Sequence, residues 1–553
     1  MKTGVFPFER YLREYDVWEF HPLDQGGRLV QLQLIGSEKD ADIVAALRRP
    51  DFFAPWGEPI QWDRLESAEV EKSVWLNRWY FLPSFARLYW LTGERAYLDD
   101  LLKFFRRWTS DNPVPSDLPG YFASRRYNWR DMQVAWRTQN LIWCFFLGRS
   151  GFSESEQQEL LGSVETHARV LTLYFGQQPL SAGNHQSHGA LAMLHAALLL
   201  PDLADPALKI LNHHLEAAFF ADGNSVELCP GYYPFIAANF RNAYLLCSAN
   251  GIALPARWRD RLAQCYRFMR DVQQPDGTMP PINDSSEMPA RLSLRILGDM
   301  LEMEGDAKPT GSVRFAESNQ AIMRNEASYL FLDAAGSSLP FHWHAGKLGF
   351  HYWHGDRPYL VDSGVCNYDE RLRKEWYLTA RAHNTILIDG TPADGVSRIS
   401  EWEHDHATMT TGGNGVHWKR EILLLKRGGL IVMDSLQSAA VHDYTWLFHF
   451  VPTTLKTDAP NKRLLTGFAD RNLCLAPFDP RLFSRMEIIQ GHVNKGSRNV
   501  SAPVGHFSAR ASDLAMAFLI LPTTGSEFPK IELEQLADGW VIRTDAMREV
   551  VHR

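Results

Sequence analysis

The spacing of apolar residues changes once along this chain, and that change limits the fold more than any other feature. From about residue 74 to residue 305, apolar side chains recur three and four positions apart, the pattern of helices that bury one face. Beyond about residue 312, short runs rich in β-branched and aromatic residues take over, at 328–333, 430–434, 445–451, 514–521 and 540–544. Side chains repeat about every 3.6 residues on a helix and every two on a strand, so one stretch of chain cannot satisfy both periods. The spacing predicts a helical domain over residues 1–310 and a mainly antiparallel β domain over 311–553, with the junction near Ala307-Lys308-Pro309-Thr310-Gly311-Ser312. A length of 553 residues agrees, because a chain of that size divides into two or three cores.

Local signals sharpen both halves. A helix is expected around 79–91, stopped by Thr92-Gly93, and the next carries the stripe Tyr97, Leu101, Phe104, Phe105, Trp108. Ser153 and Glu156 have capping-box spacing, and Asp205-Pro206 pairs an N-cap with proline at the first helical position. No fixed-period repeat is present, which favours helices wound into a closed or partly closed ring over a solenoid. In the second half, 423–426, Arg427-Gly428-Gly429 and 430–433 form a hairpin pattern, and successive strands of this kind stack as antiparallel sheets.

Composition narrows the partners. With 57 basic and 65 acidic residues the formal charge is −8, so nothing global attracts nucleic acid or an anionic membrane. An anionic ligand would need a local basic groove, for which Arg125, Arg126 and Arg130 are candidates, unless they are simply solvated. The opening residues, MKTGVFPFERYLREYDVWEF, hold no continuous apolar stretch, so neither a secretory signal nor a membrane span is expected there. As numbered, a cytoplasmic protein is expected, or a periplasmic or secreted one if a signal has been trimmed. The six cysteines, Cys144, Cys229, Cys247, Cys265, Cys366 and Cys474, are scattered without CxxC pairs and read as free thiols. Oligomeric state is not written in the sequence.

Three constellations can carry chemistry. Ser181-Ala182-Gly183-Asn184-His185-Gln186-Ser187-His188-Gly189 precedes an apolar helix expected at 190–200. An amide and an imidazole at a helix start can hold an anion, although polar residues favour helix starts for capping alone. Asp222-Gly223-Asn224-Ser225-Val226-Glu227-Leu228-Cys229-Pro230-Gly231-Tyr232-Tyr233-Pro234 carries two tyrosines into the next helix; either can transfer protons if nearby donors stabilise its phenolate, or both simply pack. The third is Phe341-His342-Trp343-His344 with Val361-Asp362-Ser363-Gly364 and Ala382-His383-Asn384-Thr385. On a strand, His342 and His344 would share a face, and with Asp362 and His383 brought in from neighbouring strands, two of the imidazoles and the carboxylate would match the set that zinc accepts; hydrogen-bonded histidines are the alternative.

Taken together, these segments resemble the heparinase II/III-like family of polysaccharide lyases, which also has relatives acting on alginate. The resemblance extends to Glu71-Lys72-Ser73-Val74-Trp75-Leu76-Asn77-Arg78-Trp79, to the stretch from Trp129 to Asn140 with Val134 and Arg137, to Leu360-Val361-Asp362-Ser363-Gly364, and to His442-Asp443-Tyr444-Thr445-Trp446. It implies an incomplete (α/α) toroid followed by an antiparallel β-sandwich, with an anionic poly- or oligosaccharide bound where the two meet and cleaved by β-elimination. Carried over by motif, Asn184 and His185 would neutralise a uronate carboxylate, Tyr232 would transfer the proton, and His342 would be the second catalytic group. His344, Asp362 and His383 would hold a structural divalent metal, zinc by their chemistry. Arg137, His188, Tyr233, Tyr368 and Tyr377 are candidate substrate contacts. The chain departs from the family at Gly346, where an acidic residue is frequent, and at Tyr233, where a histidine often follows the tyrosine.

Two other classes fit parts of this pattern. An (α/α)-barrel glycoside hydrolase would need a carboxylate pair, for which Asp222 and Glu227 are the nearest candidates. A glycan-binding protein that keeps the fold without turnover is the other.

Overall fold

The computed structural model describes residues 40–54, 57–63, 76–124, 126–176, 178–303, 309, 311–335, 342–366, 370–496, 498–536, 539–544 and 548–552. Several sequence expectations fall outside them: the N-terminal stretch, residues 71–75, Arg125, the junction residues Ala307, Lys308 and Thr310, Phe341 and Tyr368. The chain forms two compact units. The first comprises Met1–Ala218, Phe235–Leu262 and Tyr368–Glu370, and the second Phe219–Pro234, Ala263–Asn367 and Arg371–Arg553.

The first unit is built on helices, among them Asp40–Leu47, Leu82–Thr92, Arg95–Asp111, Asp131–Gly148, Glu154–Phe175, Asn184–Ala196 and Ala204–Ala217. Asp131–Gly148 is buried over nearly its whole length and packs against Leu82–Thr92, Glu154–Phe175 and Asn184–Ala196. On Arg95–Asp111 the expected stripe is buried from Leu101 to Trp108, with Leu98 completing it. Gly93, at φ 76°, ends the preceding helix by donating its N–H to the Tyr89 carbonyl, as a left-handed cap does. The Ser153–Glu156 capping box forms in both directions.

Three helix starts differ from expectation. The helix expected at 79–91 begins at Leu82, because Trp79 stands at φ 57° and cannot join a right-handed turn. Asp205 caps nothing: a 3-10 turn at Pro201–Leu203 runs directly into the helix that starts at Ala204. The helix expected at 190–200 spans Asn184–Ala196, so Asn184–Gly189 of the polar motif lie inside it. Burial of all those side chains but His185 overrides their weak helix propensity.

The second unit is dominated by antiparallel sheets. An eight-stranded sheet runs from Arg398–Trp402 through Val416–Leu424, Leu430–Ser438 and Leu514–Thr524 to Leu455–Asp458. A five-stranded sheet centres on His442–His449, and a second five-stranded sheet, from Val313–Phe315 to Arg357–Leu360, contains Ser328–Asp333 and Gly349–His354. The hairpin closes with Leu424 opposite Leu430, as the glycine turn required. Inward residues of the sheets, including Leu330, Phe350, Trp418, Val432, Trp446 and Phe518, form one shared core. All six cysteines are buried thiols outside any disulfide. No helix among the described residues is long and apolar enough to cross a membrane.

Candidate functional site

The second unit gathers a cluster of titratable side chains around Asp284 and His342. After Glu227 the chain turns through Leu228, at φ 55°, and a 3-10 turn at Pro230–Tyr232 before the helix Tyr233–Ala249. That path separates the paired tyrosines. Tyr233 is fully buried between Phe219 and Phe268 and donates its hydroxyl to the Gly223 carbonyl. Tyr232 keeps partial exposure and stacks on the His342 ring, centroids 6.1 Å apart.

His342 and His344 are not on a strand, contrary to expectation; they occupy the irregular segment before Gly349–His354. What makes them converge is a residue the sequence reading missed. Asp284, its side chain fully buried, accepts from His342 Nδ1 at 3.1 Å and His344 Nε2 at 3.3 Å. Arg373 adds a bidentate pair at 3.0 and 2.8 Å. Glu227, also buried, lies 3.6 Å from His342 Nε2. Burial alone would raise the Asp284 pKa, but the imidazoles and guanidinium hold it well below the carboxylate range. Burial would likewise depress His342, yet the hydrogen bond to Asp284 and the charge of Glu227 leave it above the ordinary histidine value.

Next to this cluster, His383 Nδ1 bonds Asp362 Oδ2 at 2.6 Å, and the His344 and His383 rings lie 5.3 Å apart. The proposed metal donors are therefore neighbours, all buried, and His344 Nδ1 has no hydrogen-bond partner among the described residues. Two imidazoles and a carboxylate suit zinc in kind. Their arrangement is nevertheless a hydrogen-bonded one: His383 spends Nε2 on the Tyr377 carbonyl, and among the described residues no three His, Cys, Asp or Glu side chains are disposed to hold an ion. Gly346 has a steric reason, since a Cβ there would press on the His383 ring.

In the first unit, Asn184 opens its helix and is buried, whereas the His185 side chain is 61% exposed. His185 Nδ1 bonds Asp131 Oδ1 at 2.8 Å. Burial would raise the Asp131 pKa, but His185 and Arg78 keep it low. Asp131 is a second orienting carboxylate that the sequence reading passed over, although it stands beside Trp129 in a motif already singled out.

Four expected substrate contacts, Arg137, His188, Tyr233 and Tyr377, are buried. Arg137 has no exposed surface: it donates to His167 Nε2 and to the carbonyls of Asn77, Gln133 and Asn128, under Trp108, Trp129 and Trp79. His188 is sealed between Trp136 and Phe235. Tyr377 is buried and donates to Asn499, and Tyr233 is the core residue described above. Each satisfies packing or hydrogen bonding inside its own unit, so none presents a surface to a ligand in this structure. Asp222, half of the carboxylate pair a hydrolase would need, accepts from the N–H groups of Asn224, Glu317 and Ser318 and from the Ser318 hydroxyl, which commits it to holding a loop.

Two family descriptions match consecutive parts of the chain: the heparinase II/III N-terminus over residues 40–308, and the heparinase II/III-like C-terminal domain over residues 307–510. A heparin-sulfate lyase of Bacteroides stercoris is 21% identical over 433 residues, covering 69% of this chain and 64% of the relative. One of Bacteroides thetaiotaomicron is 23% identical over 375 residues, covering 58% and 52%. The chain thus spans less than two thirds of the length of these relatives. Among solved structures, a heparinase III superposes with a TM-score of 0.73 at 19% identity, over 96% of this chain and 92% of that one. A mutant heparan sulfate lyase of Pedobacter heparinus gives 0.69 at 19% identity, over 90% and 85%. At these identities the likeness establishes the fold, a helical toroid followed by an antiparallel β-sandwich.

Proposed function

We propose that this chain, which belongs to the heparinase II/III-like family, is a polysaccharide lyase cleaving a uronic-acid-containing glycosaminoglycan, heparan sulfate or heparin before other uronate polymers such as alginate, by β-elimination. The observation that carries the reading is the partly exposed Tyr232 ring stacked on His342, with the buried carboxylates Glu227 and Asp284 behind that imidazole. The names of the Bacteroides relatives support the substrate class.

The chemistry demands these residue types. The C5 proton of a uronate is too weakly acidic to leave while the carboxylate beside it keeps its full charge, so donors must stabilise the enolate-like intermediate. Asn184 and His185 are assigned that task, with Asp131 orienting the His185 ring. Tyr232 takes the C5 proton and returns one to the departing O4 when both lie on the same face of the sugar, and His342 serves as base for the opposite epimer. No water enters the products, which separates the reaction from glycoside hydrolysis. His344, Asp362 and His383 have the donor types for a divalent metal such as zinc, and holding one would require His383 to give up its bond to Asp362 or to the Tyr377 carbonyl.

The test is a panel of heparan sulfate, heparin, chondroitin sulfate, hyaluronan and alginate, followed by near-ultraviolet absorbance of the unsaturated uronate. Absorbance rising with chain cleavage on a glycosaminoglycan is the expected result. Cleavage that incorporates solvent oxygen without that absorbance would make the protein a hydrolase, and binding without turnover would make it a glycan-binding protein.

A further inference from the structure

We infer that Asp284 is a positioning residue that sets the tautomers of both histidines in His342-Trp343-His344, leaving the lone pair of His342 on Nε2 and that of His344 on Nδ1. The kinetic consequence rests on the lyase reading; the tautomers do not. A carboxylate has about four acceptor sites. On Asp284 each oxygen takes one imidazole nitrogen and one guanidinium N–H: Oδ1 meets His344 Nε2 and Arg373 Nε, and Oδ2 meets His342 Nδ1 and Arg373 Nη2.

A neutral imidazole carries one N–H, and the partner of one nitrogen decides what the other can do. Two carboxylates compete for the His342 proton. Asp284 Oδ2 is within hydrogen-bond distance of Nδ1 at 3.1 Å, whereas Glu227 Oε2, at 3.6 Å from Nε2, is beyond it. The proton belongs on Nδ1, and Nε2 keeps the lone pair. For His344 the opposite holds: Nε2–H donates to Asp284, and the buried Nδ1, which has no hydrogen-bond partner among the described residues, keeps its lone pair beside His383. The other tautomer would bury an unsatisfied N–H.

The carboxylate can impose this because its loop is fixed on several sides. Asn283, at φ 58°, donates to the Leu228 carbonyl at 2.9 Å and accepts the His344 N–H at 3.4 Å. Ser285 gives its hydroxyl to the Ile282 carbonyl and accepts from the Val365 N–H. Gly231 permits the close approach, since a Cβ there would fall on the Ser286 carbonyl.

The experiment uses the full chain with ¹⁵N-labelled histidine, at about pH 9, above the ordinary histidine titration. His342→Gln and His344→Gln assign the ring signals. Wild-type protein is expected to show His342 protonated on Nδ1 and His344 on Nε2. Asp284→Asn offers one acceptor oxygen and one donor, so at least one pattern is lost, while Arg373→Lys keeps the carboxylate and both patterns. On whichever uronate polymer the wild type cleaves, Asp284→Asn lowers kcat about 100-fold with KM within about threefold, the size of effect general acid–base catalysis supplies. The inference is overturned by the reverse wild-type tautomers, which can be read even if the variant fails to fold. Unchanged tautomers in a folded Asp284→Asn protein, or unchanged kcat in it, overturn the inference equally. A wild type that cleaves no uronate polymer refutes the lyase reading instead, and the wild-type spectra still decide the tautomers.

Discussion

Replacing Arg137 by Met separates two roles for one residue: a substrate contact, as the family motif implied, or a buried node of the helical unit, as its surroundings indicate. The guanidinium donates to the carbonyls of Asn77 at 2.7 Å, Asn128 at 2.8 Å and Gln133 at 3.3 Å, and to His167 Nε2 at 2.8 Å. Three buried carbonyls stripped of a donor cost about 1 kcal/mol each. The indoles of Trp108, Trp129 and Trp79, at 4.1, 4.8 and 5.5 Å, contribute about 1 kcal/mol each as cation–π partners. Against that gross loss of about 6 kcal/mol stands relief from burying a cation, which burial already makes a weaker proton holder. A net loss of about 3 kcal/mol remains, the usual scale for breaking a buried polar network. For a domain of this size that lowers Tm by about 6–12 °C. The assay pairs thermal denaturation with steady-state kinetics below the transition. KM in the surviving folded protein should be unchanged. An unshifted Tm with a raised KM would show that Arg137 meets substrate and that the buried-node reasoning is wrong.

Tyr232→Phe should nearly abolish turnover at unchanged Tm, whereas Tyr233→Phe should cost about 1 kcal/mol of stability through the lost bond to Gly223 and leave kcat near normal; the opposite pattern in kinetics and melting exchanges their roles. Purified protein should contain close to one equivalent of zinc by elemental analysis, and His344→Ala should lose it together with stability; metal-free wild type and variant would remove the idea. Asp333, pushed up to about 6 by burial, is raised above its unfolded value, so its stabilising contribution is complete below about pH 4 and lost as pH rises through 6. Asp333→Asn keeps an oxygen for Gln320 and Ala335, so it should be about 2 kcal/mol more stable than wild type at pH 7.5 and no more stable at pH 4. Denaturation curves at both pH values check this, and an equal difference at each would assign the effect to packing.

Much of the architecture was legible because hydrophobic period is a local property. The strand Ser328–Asp333, the hairpin that places Leu424 opposite Leu430 and the Ser153–Glu156 capping box each depend on residues a few positions apart. Helix limits were less legible, because burial of the Asn184–Ala196 face and the left-handed backbone at Trp79 are decided by neighbours distant in sequence. The histidine, tyrosine and asparagine candidates could be named from motifs. What the sequence could not show is which of them have their surface consumed inside the fold: Arg137 under three indoles, Tyr233 between two phenylalanines, Tyr377 on Asn499. Nor could it reveal Asp284, which is 58 residues from His342 and whose flanking residues carry no motif. Chain order determined the family, the two kinds of secondary structure and the residue types available for chemistry. Only tertiary structure decided which carboxylate stands behind which imidazole, since a hydrogen bond depends on ångström distances that sequence separation does not encode.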